Sequence, residues 1–352
     1  MAEIFYTVSP DLCRMARLER GEVVELDFEI PGKPPSLLGS IYCGRVVDVQ
    51  KPLKAAFIDI GEEKLGILPL QEGKLETVKQ GDTLIVQVSR TENPVENKGV
   101  RLTRLIVLTL GSLLYTPFAP GLSFSKKVKE RENFKDLLTL CPGEGVILRH
   151  GTSLKDPVQT WFQQLRDEWA DIQTKLPAKP PFCVSPAPDL LSRLLRGLSS
   201  SDRLVIDDQK LAIRLKEKAT LSRTPAFDER CEEAWESLFS PEITLSEGGN
   251  LYIEETRGLV VIDVNSQGAL RHSFLFNKIA FREVLRQLRL RDLGGKIVVD
   301  LIQAPKTMEG LLQGLSIPSN LSVWGISSMG LLEIIRRRKR LSLPQRLKLQ
   351  LN

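Results

Sequence analysis

Two apolar runs in this chain each end on an aspartate. Leu259, Val260, Val261 and Ile262 lead into Asp263, and Ile297, Val298 and Val299 lead into Asp300. Asn265 follows Asp263 by two residues, so on an extended strand both side chains point the same way. Adjacent strands lie about 4.8 Å apart. If these two are parallel neighbours, the carboxylates face each other near the C-terminal strand ends, where α/β sheets hold their ligands. Two ionised carboxylates at that distance repel unless a cation joins them. Hard oxygen donors suit Mg²⁺, which takes one or two carboxylates, keeps several waters and completes its shell with phosphate oxygens. The Asn265 amide can donate to a carboxylate or to such a phosphate. Either aspartate alone also fits a satisfied strand end; the pair, with Asn265 and a basic helix between them, favours a metal site.

Those residues need a scaffold. The first run reads as a strand buried on both faces, joined to the preceding strand "NLYIEET" by a tight turn at Arg257-Gly258. A helix is expected over 273–291. Its apolar stripe is Phe274, Phe281, Leu285 and Leu288. Lys278, Arg282, Arg286 and Arg289 recur at helical spacing as a basic stripe suited to a phosphodiester backbone. The helix "TMEGLLQGL" and strand "LSVWGIS" follow "KIVVDLI", which predicts a parallel sheet with helical crossovers. Residues 37–104 carry five short strands with Gly39, Gly44, Gly61 and Gly66 at the bends, the pattern of a small closed barrel of the OB type. Such barrels hold single-stranded nucleic acid with a basic groove and stacked aromatics. Residues 1–30 read as hairpin strands. "PGKPP" (31–35) and "PAKPP" (177–181) are breaks. Asp156-Pro157 is expected to cap the helix that begins at Val158, and "RLVIDD" and "KLAIRLK" read as strands.

The 352 residues suffice for two or three cores, and 42% hydrophobic with 26% charged residues is ordinary for a globular chain. The net charge of +5 is clustered in "RRRKR" (336–340) and "KKVKER" (126–131), which suit polyanion partners or solvated helix faces. Five cysteines without a CxxC and only two histidines argue against structural zinc and a disulfide framework. With no leader-like start and no apolar run of about 20 residues, a cytoplasmic protein without a membrane segment is expected.

"GLVVIDVNS" (258–266) followed by "RQLRLRDLGGKIVVDLI" (286–302) resembles the catalytic signature of the ribonuclease E/G family. "GSIYCGRVVDVQKPLKAAFIDIGEEKLGILPL" (39–70) and "NKGVRLT" (97–103) are similar to that family's S1-type RNA-binding barrel. "GVILRHG" (145–151) resembles its 5′-monophosphate-binding segment, and "MGLLEIIRRR" (329–338) the end of its catalytic subdomain. The resemblance implies an α/β multi-subdomain fold. An RNase H-like subdomain (1–36 and 182–244) is split around an S1-type OB barrel (37–118) and a 5′-sensor α/β segment (119–181). A DNase I-like α/β catalytic subdomain (245–340) and a tail (341–352) follow. It implies a Mg²⁺-dependent endoribonuclease, with Mn²⁺ as a substitute, that cleaves single-stranded RNA by metal-activated water. Asp263 and Asp300 would hold the metal and Asn265 would orient Asp263. Phe57 and Lys98 would grip the RNA strand. Arg149, with Lys126, Lys127 and His150 beside it, would meet a 5′-phosphate. The chain departs from the family at several points. The paired zinc-link cysteines that join protomers are missing after residue 340, so zinc is not expected and the family's usual oligomer is not implied. Ile67 replaces an aromatic, His150 a threonine, Gln303 an acid and Met329 a basic residue. Those departures support a second reading, a catalytically impaired RNA-binding protein on the same scaffold.

Overall fold

A computed structural model describes residues 2–70, 78–94, 97–125, 128, 131–149, 152–176, 179–199, 201–268, 273–303 and 308–351. The chain divides into two units, one made of Met1–Gly32 with Arg203–Asn352 and the other of Lys33–Asp202. Among the described residues no helix is long and apolar enough to cross a membrane.

The first unit opens with an antiparallel meander of β1 (Ala2–Thr7), β2 (Cys13–Glu19) and β3 (Glu22–Glu29). Arg20 and Gly21 both take positive φ, 55° and 81°, which is what a two-residue hairpin turn between twisted strands requires.

The second unit begins with β4 (Ile41–Gln50), β5 (Ala55–Asp59), β6 (Gly66–Pro69), β7 (Thr83–Arg90) and β8 (Arg101–Thr103). Their order is β4–β5–β6–β8–β7, and β7 pairs back onto β4, so five strands close into a barrel compatible with the OB type. Val46, Ala56, Ile58, Leu68, Val86 and Leu102 fill it. Gly44 lies where a Cβ would come within 2.5 Å of the Ile58 side chain, so the sharply coiled β4 needs glycine there. Next come β9 (Leu108–Leu110), β10 (Leu113–Thr116), β11 (Gly121–Phe124), α1 (Arg131–Leu137), β12 (Gly145–Leu148), α2 (Val158–Thr174), β13 (Phe182–Ser185) and α3 (Leu190–Gly197). Strands β11–β12–β10–β9 form a sheet, and α2 packs on it through Phe162, Leu165, Trp169 and Ile172. Asp156 does not cap α2 as expected. Its carboxylate turns back to accept from the Ser153 N–H at 2.8 Å, and Pro157 precedes the helix without a side-chain cap.

The chain then returns to the first unit. Strand β14 (Arg203–Ile206) pairs parallel with β1. "KLAIRLK" is not a strand: α4 (Gln209–Leu215) forms there because the Asp208 carboxylate accepts the Leu211 N–H at 2.6 Å and nucleates a turn. After β15 (Thr220–Leu221) and α5 (Glu229–Glu236), a second sheet is built from β16 (Glu242–Thr244), β17 (Asn250–Glu255) and β18 (Val260–Asn265). Helix α6 (Ser273–Leu290), β19 (Gly295–Asp300), α7 (Met308–Leu312), β20 (Leu321–Ile326), β21 (Leu331–Arg336) and α8 (Leu343–Leu351) complete the unit. The strand order is β16–β17–β18–β19–β21–β20. Only β18 and β19 are parallel neighbours in it. The expectation of a parallel sheet throughout fails at "LSVWGIS": β21 inserts beside β19 and runs antiparallel to both β19 and β20. A short turn, Ser327–Gly330, joins β20 to β21, and a short turn makes antiparallel neighbours.

Helix α6 covers one face of this sheet. Phe276, Ala280, Phe281, Val284 and Leu288 pack onto Ile262, Val264, Ile297 and Val299. Phe274, placed on that stripe from spacing, is 48% exposed. The other sheet face is open, so β18 is buried on one side only and not on both: Val260, Ile262 and Val264 are buried while Val261, Asp263 and Asn265 are exposed.

"RRRKR" is not a helix face, and its residues alternate between inward and exposed, with Arg337 and Lys339 exposed. Extended backbone turns Arg336, Arg338 and Arg340 inward, to Asp292 (3.2 Å), Glu255 (3.9 Å), and Asp27 (3.0 Å) with Asp292 (2.6 Å) respectively. Asp27 also receives Arg346 of α8 at 3.0 Å. Burial works against the Arg340 charge, and the Asp27 and Asp292 carboxylates outweigh it.

Asp27→Asn strips the counter-charge from two buried guanidinium groups and should cost about 3–5 kcal/mol. The fall is read as a lower urea midpoint at unchanged slope; an unchanged midpoint contradicts the role of Asp27. In the second unit, burial pushes the Glu144 carboxyl up. Arg166, the Cys141 N–H and the Tyr115 hydroxyl together hold it below its ordinary value. A depressed folded pKa contributes stability above the unfolded value of about 4.3, and that contribution is lost as pH falls through the folded value. Glu144→Gln should therefore lower the thermal midpoint at neutral pH and flatten the acid-side fall below about pH 5. Parallel acid limbs for variant and wild type would count against this.

Candidate active site on the open sheet face

The parallel pairing of β18 with β19 sets Asp263 directly opposite Asp300. Both side chains are exposed, and among the described residues neither takes a hydrogen bond or an ion pair. Asn265 lies one alternation further along the same face. Its Oδ1 accepts the Gln267 N–H at 3.0 Å, which leaves the NH₂ end as the donor facing outward. Gln267 takes a positive φ of 48° and ends the strand there. Gly249 crosses behind this corner, where a Cβ would strike the Asn265 carbonyl and the Phe276 ring.

The exit of β19 is fixed from below. Asn277 of α6 is 1% exposed; it donates to the Ile302 carbonyl at 2.6 Å and accepts the Ile302 N–H at 3.1 Å. A buried amide thus ties the crossover helix to the backbone two residues beyond Asp300. Sequence reasoning missed it, although a lone asparagine on the Phe281–Val284 helix face was its signal.

The same register row continues outward. Tyr252 of β17 lies opposite Asp263, and Glu242 of β16 lies opposite Tyr252. Asn250, 2% exposed, donates to the Glu242 carboxylate and approaches the Tyr252 hydroxyl at 3.4 Å. Glu242 beside that hydroxyl raises the Tyr252 phenol above its ordinary value. These three residues were also missed, because register across antiparallel strands is not visible in a local pattern.

The α6 stripe faces the β2–β3 hairpin and its charges are engaged there. Arg282 meets Glu22 at 3.0 Å. Arg286 meets Glu283 at 2.7 Å and the Val23 carbonyl at 2.8 Å. Arg289 meets Glu19 and Glu25, both at 3.0 Å. Lys278 is half-buried in the second turn. The spacing of the stripe is as read, and Arg282, Arg286 and Arg289 each have an acidic partner.

In the second unit, Phe57 sits between the buried Ala56 and Ile58 and points out of the barrel, half-buried. Ile67 lies opposite it, and Arg101 opposite Ile67. Lys98 is exposed at a bridge with Asn93. Arg149 is exposed past the end of β12, its N–H held by the Ser112 carbonyl at 2.9 Å. Lys126, Lys127 and His150 lie outside the described residues.

Asp263 and Asp300 suit a hard divalent cation by donor chemistry: two adjacent carboxylates without a hydrogen-bond or ion-pair partner among the described residues, flanked by an amide. Among the described residues no group of three or more His, Cys, Asp or Glu stands close enough to form an all-protein cage. A two-carboxylate set is the mode Mg²⁺ uses with substrate phosphates.

Residues 109–339 match the Ribonuclease E/G family. The chain is 30% identical to Ribonuclease E of Haemophilus influenzae over 92% of its own length and 40% of that protein. It is 29% identical to Ribonuclease E of Escherichia coli, over 92% of the chain and 36% of that protein. With Ribonuclease G of Escherichia coli it shares 28% identity over 97% of the chain and 81% of the relative. The chain thus spans well under half of the Ribonuclease E relatives and about four-fifths of Ribonuclease G. The family match covers more than half of the chain and includes both aspartates, and the chain belongs to the ribonuclease E/G family.

Proposed function

We propose that this protein is a Mg²⁺-dependent endoribonuclease acting on single-stranded RNA. The observation that carries the reading is the in-register, exposed pair Asp263–Asp300. These carboxylates would hold the cation. When bound, it would neutralise the scissile phosphate and lower the pKa of a coordinated water, with Mn²⁺ able to substitute. The Asn265 NH₂ end would donate to a carboxylate or to the phosphate, which would make Asn265 a positioning residue. Asn277 fixes the β19 exit and keeps Asp300 in register.

The strand grip is assigned to the barrel. Phe57 offers a half-buried outward ring for base stacking and Lys98 a nearby cation. Arg149, with Lys126, Lys127 and His150, is assigned to a 5′-phosphate. The subdomain partition belongs to the same proposal: an RNase H-like part (1–36 and 182–244), an S1-type barrel (37–118), a 5′-sensor segment (119–181) and a DNase I-like part (245–340).

Asp263→Asn and Asp300→Asn should each abolish Mg²⁺-dependent cleavage of a labelled single-stranded RNA while leaving its binding largely intact. Asn265→Ala should slow cleavage about 10- to 100-fold. Chelator should stop the wild-type reaction. Wild-type-like cleavage by Asp300→Asn sinks the assignment, and tight binding without cleavage by the wild-type chain favours the impaired RNA-binding reading. Phe57→Ala should weaken RNA binding about 5- to 100-fold, measured by fluorescence anisotropy; unchanged affinity removes Phe57 from the grip.

A further inference from the structure

The open sheet face carries two exposed aromatic rings. Tyr252 on β17, 38% exposed, stands one strand from Asp263 and in its register row. Trp324 on edge strand β20 is 72% exposed. It is the extra residue of a bulge between Val323 and Gly325, opposite Glu333 of β21. The alternation that sends Leu321 and Val323 toward the core sends Trp324 to the open side. Strand β21 separates β20 from β19. Counted across the sheet, Asp263 stands one strand spacing from Tyr252 and Asp300 two from Trp324, each spacing about 4.8 Å; the Glu333 row beside Trp324 pairs with Val298, so the indole is also offset along the strands from Asp300.

The charges on this face say what could lie across it. Glu254 and Glu333 flank the next row, in which Val261 and Val298 pair between them. With Glu242, Asp263 and Asp300 the face is acidic around the site. The cations Lys296 and Arg337 stand at the opposite end of the strands. Among the described residues of this face, no cation stands beside the aspartates to attract a phosphate. Aromatic faces can seat a polyanion there, because a base stacks on a ring whatever its sequence and keeps its phosphates turned outward.

We infer that Tyr252 and Trp324 are base-stacking platforms that hold the nucleotides on either side of the scissile phosphate. The inference rests on the endoribonuclease reading and adds a substrate subsite to it. The Glu242–Asn250 pair steadies the Tyr252 hydroxyl end, and the bulge at Trp324 aims the indole off the sheet edge. Exposed aromatics on a sheet face also suit a contact with a second copy of the chain, so the test separates the two.

The test uses the full chain carrying Asp263→Asn and Asp300→Asn, which neither cuts RNA nor repels it at the site. A short fluorescein-labelled oligoadenylate is titrated by anisotropy, and an oligonucleotide with 5-iodouridine is photo-crosslinked and the adducts mapped. Trp324→Ala and Tyr252→Leu should each weaken binding about 5- to 100-fold, with Trp324→Phe and Tyr252→Phe close to the parent. Adducts should fall on both residues. Affinity unchanged within twofold, with adducts only elsewhere, overturns the inference. Unchanged affinity with an altered sedimentation coefficient assigns the face to self-association and overturns it as well. If the wild-type chain does not cleave but the adducts and losses appear, the activity assignment fails and the stacking platforms stand.

Discussion

Two parallel strands cannot be joined by a two-residue turn, so the meeting of Asp263 and Asp300 depends on a crossover that returns to the same end of the sheet. Helix α6 is that crossover, and it binds on two sides. Phe276, Ala280, Phe281, Val284 and Leu288 face the second sheet. Leu290 joins the core that includes Leu18, Val23, Leu26 and Phe28 of the β2–β3 hairpin. Arg282, Arg286 and Arg289 reach hairpin groups on the polar side of that contact. A helix held in this way cannot slide by a turn, and a slide would shift β19 against β18. A one-residue slip in β19 would send Asp300 to the helix-covered face and Val299 to the open one.

The ionic contacts that close the first unit follow the same economy of position. Asp27 of β3 and Asp292, just past α6, share Arg340, and Asp27 also takes Arg346 of α8. The Arg346 guanidinium lies 5.2 Å from the Phe28 ring centre. Three elements distant in sequence are thus tied through two carboxylates. Such a network discriminates against alternative packings more than it adds net stability, because removing either charge strands the other out of water.

Some of this was legible in the sequence. Apolar runs ending on acids, a long helix between them and glycine corners in the barrel are local patterns, and β18, α6, β19 and the five barrel strands followed from them. What failed was non-local. The one-sided burial of β18 could not be read from four consecutive apolar residues, because Val261 is as apolar as Ile262 and only the position of α6 separates them. The basic residues at 336–340 and on α6 looked alike as charge runs. Their partners on the hairpin stand far off in the chain: Glu22 is 260 residues from Arg282, and Asp27 is 313 from Arg340. "KLAIRLK" alternates as a strand does, but the cap from Asp208 decided for a helix. Tyr252 joined the site only through the register of an antiparallel pair.

The contrast between acids within this one chain says more about function than the motif does. Asp27, Glu144, Asp228 and Asp292 are each engaged by arginine or backbone N–H groups. A strand-ending aspartate with only a structural role would be expected to find similar partners. Instead Arg282, Arg289, Arg336, Arg338 and Arg340 turn toward the hairpin, Asp292, Glu255 or Asp27. The unit uses these cations to hold itself together, and among the described residues the face around Asp263 and Asp300 is acidic. An acidic face meets a polyanion more readily when a divalent cation stands between them, and stacking contacts add no further repulsion.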